Sequence, residues 1–238
     1  MSPTWMRVAD RVYRARLPFL DVTVGLVWGS TGVVLIDCGT TLTEARTINR
    51  DARRLTGRPV DHLVLTHHHF DHVLGSSVFA GAQMYAAPAV AAALTTRSAA
   101  LRDDAIAHGA DPDEVASALA ALEPVVQPRG QGVIDLGERR VAVRHLGAGH
   151  TDHDLVVLVE PSEAGDPRVV FCGDLVEQSG DPVIDVDSDL PSWPTTLDRL
   201  LVAAGPQARY VPGHGAVVGA GFVAAQRDRL AAQRDRRV

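Results

Sequence analysis

The chain has 238 residues, 46% hydrophobic and 22% charged, with a formal net charge of −6 at neutral pH; all 23 basic residues are arginine. Apart from the tail, Arg227 to Arg237, they are scattered, so there is no basic stripe to track nucleic acid and none is expected as a partner. No apolar run approaches the ~18 residues that span a bilayer, Arg7, Asp10, Arg11, Arg14 and Arg16 break any signal-like core in Met1 to Leu20, and the two cysteines, Cys38 and Cys172, are too few for a disulfide framework, which together predict a cytoplasmic protein with no membrane partner.

In chain order, Arg11–Leu17, Val22–Trp28 and Val33–Asp37 read as strands, punctuated by Pro18 and by Gly29-Ser-Thr-Gly32. Thr41–Leu55 carries apolar residues at helical spacing and stops at Gly57, a plausible C-cap. Val60–Thr66 is a buried strand leading into a histidine cluster, and Gln83–Ala86 is another short strand. Pro88–Leu122 breaks the pattern: it is alanine-rich and helical, interrupted near Gly109. Asp111 is placed as the next N-cap, with Pro112 at the first helical position and Glu114 closing a capping box.

Strands follow at Gly132–Leu136, Val141–Leu146, Leu155–Glu160 and Val169–Cys172, then a helix at Trp193–Ala204, a strand at Ala208–Val211 and a helix from Phe222 onward. Interleaved strands and helices predict an α/β protein of two packed sheets with helices outside. With no repeat or linker, the reading is one domain over residues 1–238 with a helical insertion at about 88–122. Placed just after the histidine cluster, that insertion is expected to form a lid that selects substrate, an outer-face helix pair or dimer contact being the alternatives.

The chemistry starts at Thr66-His-His-His-Phe-Asp-His72. In an extended chain His67 and His69 share one side and His68 takes the other. Two imidazoles on one face can hold Zn²⁺, whose Zn–N distances are roughly 2.0–2.1 Å. Asp71 and His72 lie where the chain must turn, within reach of a neighbouring ion. Three distant positions repeat the same grammar, each after a strand or beside glycine: His150 in Gly147-Ala-Gly-His-Thr-Asp-His-Asp154, Asp174 after Val169-Val-Phe-Cys-Gly173, and His214 in Tyr210-Val-Pro-Gly-His-Gly215. Glycine beside a ligand lets the backbone approach an ion closely. His62, His108, His145 and His153 have no motif partner and are read as surface or packing residues. Asp152 and Asp154 are read as serving a turn, and Cys172 would share Asp174's side on a regular strand.

In their order along nearly the whole chain, these motifs resemble those of the metallo-β-lactamase superfamily. The resemblance implies an αββα four-layer sandwich with metals in a cleft at the edge between the sheets. It also implies a ligand set: His67, His69 and His150 for one ion, Asp71, His72 and His214 for a second, Asp174 bridging, and Asp37 of Leu35-Ile-Asp-Cys-Gly39 orienting the ligands from behind. The implied cofactor is two Zn²⁺, with Fe or Mn as alternatives. The implied reaction is hydrolysis of an ester, lactone, thioester or related bond of a small molecule by metal-bound hydroxide, with Asp71 orienting the nucleophile and carrying its proton.

Within the superfamily the fit is uneven. Zinc β-lactamases of the best-known subclass place Cys where this chain has Asp174, and a Lys that holds the antibiotic's carboxylate where it has Glu177. Glyoxalase II-like thioesterases share the seven ligands but carry a further helical domain after the last one, and lactonases show Pro-Gly where this chain has Asp152-His153. The stretch Gly173-Asp174-Leu-Val, followed by Ser192-Trp193, is most similar to hydrolases grouped with quinoprotein-relay and Sox-type proteins. Alternatives in other classes are an iron persulfide dioxygenase-like oxidoreductase, using His67, His150 and Asp174, and a weak β-lactamase.

Overall fold

The computed structural model describes residues 3–122 and 128–236, so Arg237 of the arginine tail lies outside the described residues. Two sheets face each other. The first has β1 (Thr4–Ala9), β2 (Val12–Arg16), β3 (Thr23–Trp28), β4 (Val33–Ile36), β5 (His62–Val64) and β6 (Gln83–Tyr85) in spatial order. The second is ordered β11 (Arg209–His214), β10 (Val169–Glu177), β9 (Leu155–Val159), β8 (Arg140–His145), β7 (Gly132–Asp135).

Alternation along the strands builds three apolar layers. In β3 and β4, Val24, Leu26, Val33 and Leu35 face outward to helices, whereas Val27, Val34 and Ile36 meet Val157, Val159 and Phe171 of the other sheet. In β9 and β10, Val156, Leu158 and Val170 face a second helical layer on Trp193, Leu197 and Leu200. Strands buried on both faces read as continuous apolar runs, which is why they stand out in the sequence. The result is the helix–sheet–sheet–helix stack.

Most pairings are antiparallel, but β4–β5, β5–β6 and β10–β11 are parallel. Parallel neighbours need a crossover. Helix α1 (Leu42–Thr56) supplies the first, the short α2 (Phe70–Val73) with a 3₁₀ turn at Leu74–Phe79 the second, and α6 (Trp193–Ala204) the third. Helix α7 (Ala220–Asp235) completes that outer layer. The C-terminal ends of β4, β5, β10 and β11 thereby collect at one edge of the sandwich, the usual place for ligands in open α/β sheets.

The insertion is three helices: α3 (Pro88–Thr96), α4 (Ser98–Ala107) and α5 (Pro112–Ala120). A break at Arg97, unmarked by glycine or proline, divides the first helical stretch. Val90, Leu94, Leu101, Val115 and Ala118 pack into the outer layer with Ile48 of α1, so most of the insertion extends that layer. Only the end of α4, with Asp104 and His108, reaches the cleft. The insertion is therefore a wall at one point and scaffold elsewhere, rather than the full lid expected.

Several local expectations need correction. The hairpin partner β1 has no sequence signal, because its turn, Asp10-Arg11 with Arg11 at φ 49°, carries no glycine. Asp111 does cap α5 through the amides of Asp113 and Glu114, but Glu114 does not reach back; it accepts from Thr43 Oγ1 at 3.1 Å and ties the insertion to α1. The complete capping box is at α1, between Thr41 and Glu44. No helix among the described residues is long and apolar enough to cross a membrane, and Cys38 and Cys172 are buried and free.

The α1 cap generates a stability prediction. Thr41→Ala leaves the Glu44 amide unsatisfied and should cost about 1 kcal/mol. Urea denaturation with an unchanged m-value checks it; an unaltered midpoint would show that the cap contributes nothing.

Candidate metal centre

His67 follows β5 after two residues, Leu65 and Thr66, and its ring packs edge-on against His69 at 4.7 Å between centroids. His150 sits in the loop after β8 and brings Nε2 to 2.9 Å from His69 Nδ1 and 3.5 Å from Asp174 Oδ2. His67 Nε2 is 3.6 Å from the same oxygen. One face of Asp174 is thus ringed by three imidazoles. On the other side His72 Nε2 lies 3.2 Å from Asp174 Oδ1 and 3.5 Å from Asp71 Oδ2. His214 Nε2 is 3.3 Å from both Asp71 Oδ2 and Asp174 Oδ2 and 3.4 Å from His72 Nε2.

These separations bear on whether an ion fits. Ligands about 2.0–2.1 Å from a tetrahedral zinc lie roughly 3.3 Å from each other. Potential donor atoms of His67, His69, His150 and Asp174 form one compact group, and those of Asp71, His72 and His214 another. His67 Nε2 is buried with no hydrogen-bond partner, a costly state for an imidazole nitrogen unless something else takes its lone pair. The donor set, imidazole with carboxylate, suits a borderline divalent cation.

Asp37 controls the orientation of both groups. Its carboxylate, at the end of β4, accepts from Thr66 N at 2.9 Å, from Thr66 Oγ1 at 2.9 Å and from His72 Nδ1 at 2.8 Å. The Thr66 hydroxyl has one proton, given to Asp37, so at 3.0 Å from His67 Nδ1 it must accept. His67 is thereby held with Nε2 bare and turned inward. His214 is set the same way, with Nδ1 donating to Leu20 O at 2.7 Å. Fixing the tautomer of a ligating imidazole through its far nitrogen is the usual work of such partners. Sequence reasoning misses Thr66; its place before His67 is visible there, but its bond to a residue 29 positions away is not.

Two glycines let the backbones close in. A Cβ on Gly213 would overlap Asp174 Oδ1, and Gly173, at φ +51°, lies where a Cβ would come within 2.9 Å of Thr66. Gly173 also shifts the β10–β11 register, and strand β10 runs on to Glu177, past the end expected at Cys172. The shift breaks alternation, so Cys172 faces the outer apolar layer while Asp174 faces the cleft. Burial pushes the Cys172 thiol far up, and it is inert. A second unforeseen support is Trp193: its ring packs on His150 at 5.7 Å and its Nε1 donates to Leu175 O at 3.1 Å.

The other histidines divide. His68 turns away from the first group and pairs through Nδ1 with His153 Nε2 at 3.0 Å, and His153 in turn contacts Asp152. His145 bonds the Asp154 carbonyl, and Asp154 braces the turn by accepting from Thr151 N and Oγ1, both at 2.8 Å. Burial lifts that carboxyl to about 8. His62 packs against Tyr85. His108 is exposed, as expected, and packs near Phe70, and it also lines the cleft.

Electrostatics separate the two groups. Burial drives His67 well below its ordinary pKa and His150 to about 4, so these imidazoles are neutral. Burial also opposes charge on His72 and His214, but Asp174 and its carboxylate neighbours outweigh it. His72 is held well above its ordinary value and His214 is pushed up to about 12. Against burial, His72 and His214 in turn depress Asp71 and Asp174. Without an ion, protons on His72 and His214 are the counter-charge for buried carboxylates; a divalent cation would replace them.

Both the support of His67 and the charge states can be measured. Thr66→Val removes both Oγ1 contacts and should lower metal affinity about 10–100-fold with folding retained; competition against a chromophoric chelator measures it, and unchanged affinity would remove Thr66 from the support of His67. Because His72 and His214 are protonated below their raised pKa values, an ion entering beside Asp71 should release protons at pH 7–9. Its affinity should then rise about tenfold per pH unit for each proton released. The His67 and His150 side should be nearly flat over that range. Zinc calorimetry in buffers of different ionisation heat reads the proton count, and zero release would contradict protonated His72 and His214.

A family model described as the metallo-beta-lactamase superfamily matches residues 17–214. Among solved structures, a metallo-beta-lactamase from Pontibacter korlensis superposes with TM-score 0.70 at 20% identity, covering 96% of this chain and 99% of that one. The protein crystallised as VMB-1 superposes with TM-score 0.70 at 16% identity, covering 98% of each. No curated protein matches the chain. With the match spanning every element from the end of β2 to His214, the chain belongs to the metallo-beta-lactamase superfamily.

Proposed function

We propose that the protein is a binuclear metal-dependent hydrolase acting on an ester, lactone, thioester or related bond of a small molecule. The observation that carries this reading is the pair of compact donor groups meeting at Asp174 on the wall of an open cleft. His67, His69 and His150 would hold one ion, Asp71, His72 and His214 the other, and Asp174 would serve both. Zinc is the metal favoured by the histidine-rich set, with iron or manganese as alternatives. When bound, such ions lower the pKa of a coordinated water from ~15.7 to about 7 and neutralise charge developing on the scissile group.

The chain's own residues do the rest. Asp71 lines the cleft, and its depressed pKa keeps it a carboxylate able to orient an attacking water and take up its proton. His214 Nε2 and His72 Nε2 lie 3.3 and 3.5 Å from Asp71 Oδ2, the spacing of three donors that would share one ion. Phe70 and Leu20 give the cleft, about 300 Å³ in volume, an apolar flank that excludes water from one side of a bound substrate. β-Lactam turnover should be weak, because Glu177 lines the cleft where an antibiotic's carboxylate would need a cation.

The test is metal content together with a panel of lactones, thioesters, phosphodiesters and β-lactams. Two divalent ions per chain and turnover of a non-lactam member are expected; one iron with no second metal taken up would overturn the binuclear reading. Asp71→Asn keeps the shape but removes the charge, and should lower kcat by ~10²–10⁴ or more with the fold intact. Activity within a few-fold of wild type at saturating zinc would exclude Asp71 as the orienting base and direct attention to Asp174.

A further inference from the structure

The cleft's charge is one-sided. Beyond the donor groups it is lined by Asp104, Glu177, Asp181 and Asp185, and among the described residues no arginine of the chain's 23 contributes to its wall. Asp104 is partnered by His108 at 3.1 Å, and Asp185 accepts from the Asp187 amide at 2.9 Å. Glu177 differs. It is buried at 6% exposure, and one carboxylate oxygen accepts from Ser179 N and Oγ at 2.8 and 2.6 Å. The other oxygen has no hydrogen-bond partner among the described residues. A carboxylate oxygen of Glu177 lies within 4.8 Å of donor atoms of Asp174 and His214, at the edge of the second donor group.

The free oxygen of Glu177 is not sealed off: it opens to the cleft and presents an acceptor and a negative charge to whatever ligand enters. Asp181, exposed at the mouth of the same cleft, has the same sign and extends the field outward. Away from the ions, whose own charge dominates close to the donor groups, a substrate tail carrying a carboxylate would meet repulsion from Glu177, Asp181 and Asp185. A cationic tail would be drawn in and would pair its charge with Glu177.

Resting on the hydrolase reading above, we infer that Glu177, supported by Asp181, selects substrates bearing a positively charged amine a few ångströms from the scissile bond. The substrate class is a small cationic ester, thioester or amide, its apolar part lying on Leu20 and Val183.

The experiment separates charge selection from turnover. Three hydroxamates of equal length share a metal-seeking head and carry trimethylammonium, tert-butyl or carboxylate tails; their affinities for the zinc-loaded protein are measured by calorimetry. The expected order is cation, neutral, anion, with about tenfold between the first two, the scale of one partly screened charge pair. Glu177→Gln and, more weakly, Asp181→Asn should shrink that ratio, as should added salt, with zinc content measured in parallel for each variant. Equal affinities, or tightest binding of the carboxylate, would overturn the inference. If none of the three binds, the metal site itself is wrong. If the order holds but no matched ester is hydrolysed, the charge selection stands and the hydrolase reading falls.

Discussion

The carboxylate of Asp37 is the contact on which the rest of the site depends. It sits at the end of β4 at φ 58°, a backbone state that aspartate tolerates better than most residues. From there it fastens the start of the histidine segment through Thr66 and grips His72 directly, so one buried side chain aims an imidazole of each donor group. The backbone around it is tied as firmly, with Asp37 N donating to Val64 O and Cys38 N to His72 O. Strand β4, strand β5 and helix α2 are therefore locked together at the point where the chemistry starts.

Around that anchor the molecule concentrates negative charge. Asp37, Asp71 and Asp174 are all buried around the one ring of His72, Asp37 at its Nδ1 and the other two at its Nε2, an arrangement that water cannot relieve and that demands a counter-charge. Protons on His72 and His214 meet the demand when no ion is present, while His67 and His150 stay neutral. Stability and metal binding are thus coupled through the same carboxylates: what makes the ion-free site strained in charge is what makes a divalent cation favourable there.

Beyond the donor groups, the cleft is lined by Leu20, Phe70, Asp104, His108, Glu177 and Asp181 among others. A fold shared at 16–20% identity carries no information about substrate. The walls a substrate would meet are local: Glu177 and Asp181, the end of α4, and Leu20 with Phe70. The insertion contributes through Asp104 and His108 alone, its remaining apolar face being used to thicken the outer helical layer.

Much is legible from the sequence itself. Strands buried on both faces announce themselves as apolar runs, and the helices at 42–56 and 193–204 follow from spacing and caps. The donor residues stand out because histidine and aspartate at strand ends beside glycine have few other reasons to be there. What the sequence does not contain is any relation between positions far apart along the chain. The bonds from Asp37 to Thr66 and His72, the packing of Trp193 on His150 and the entry of His108 into the cleft exist only once the parallel strands have gathered their ends at one edge. The same holds for Asp174, which parts from the facing of Cys172 because the register with β11 shifts at Gly173. Local pattern decides which residues can serve, because it reflects short-range sterics and burial. Tertiary structure alone decides which of them meet, because contact depends on strand order and register, which no short window of sequence encodes.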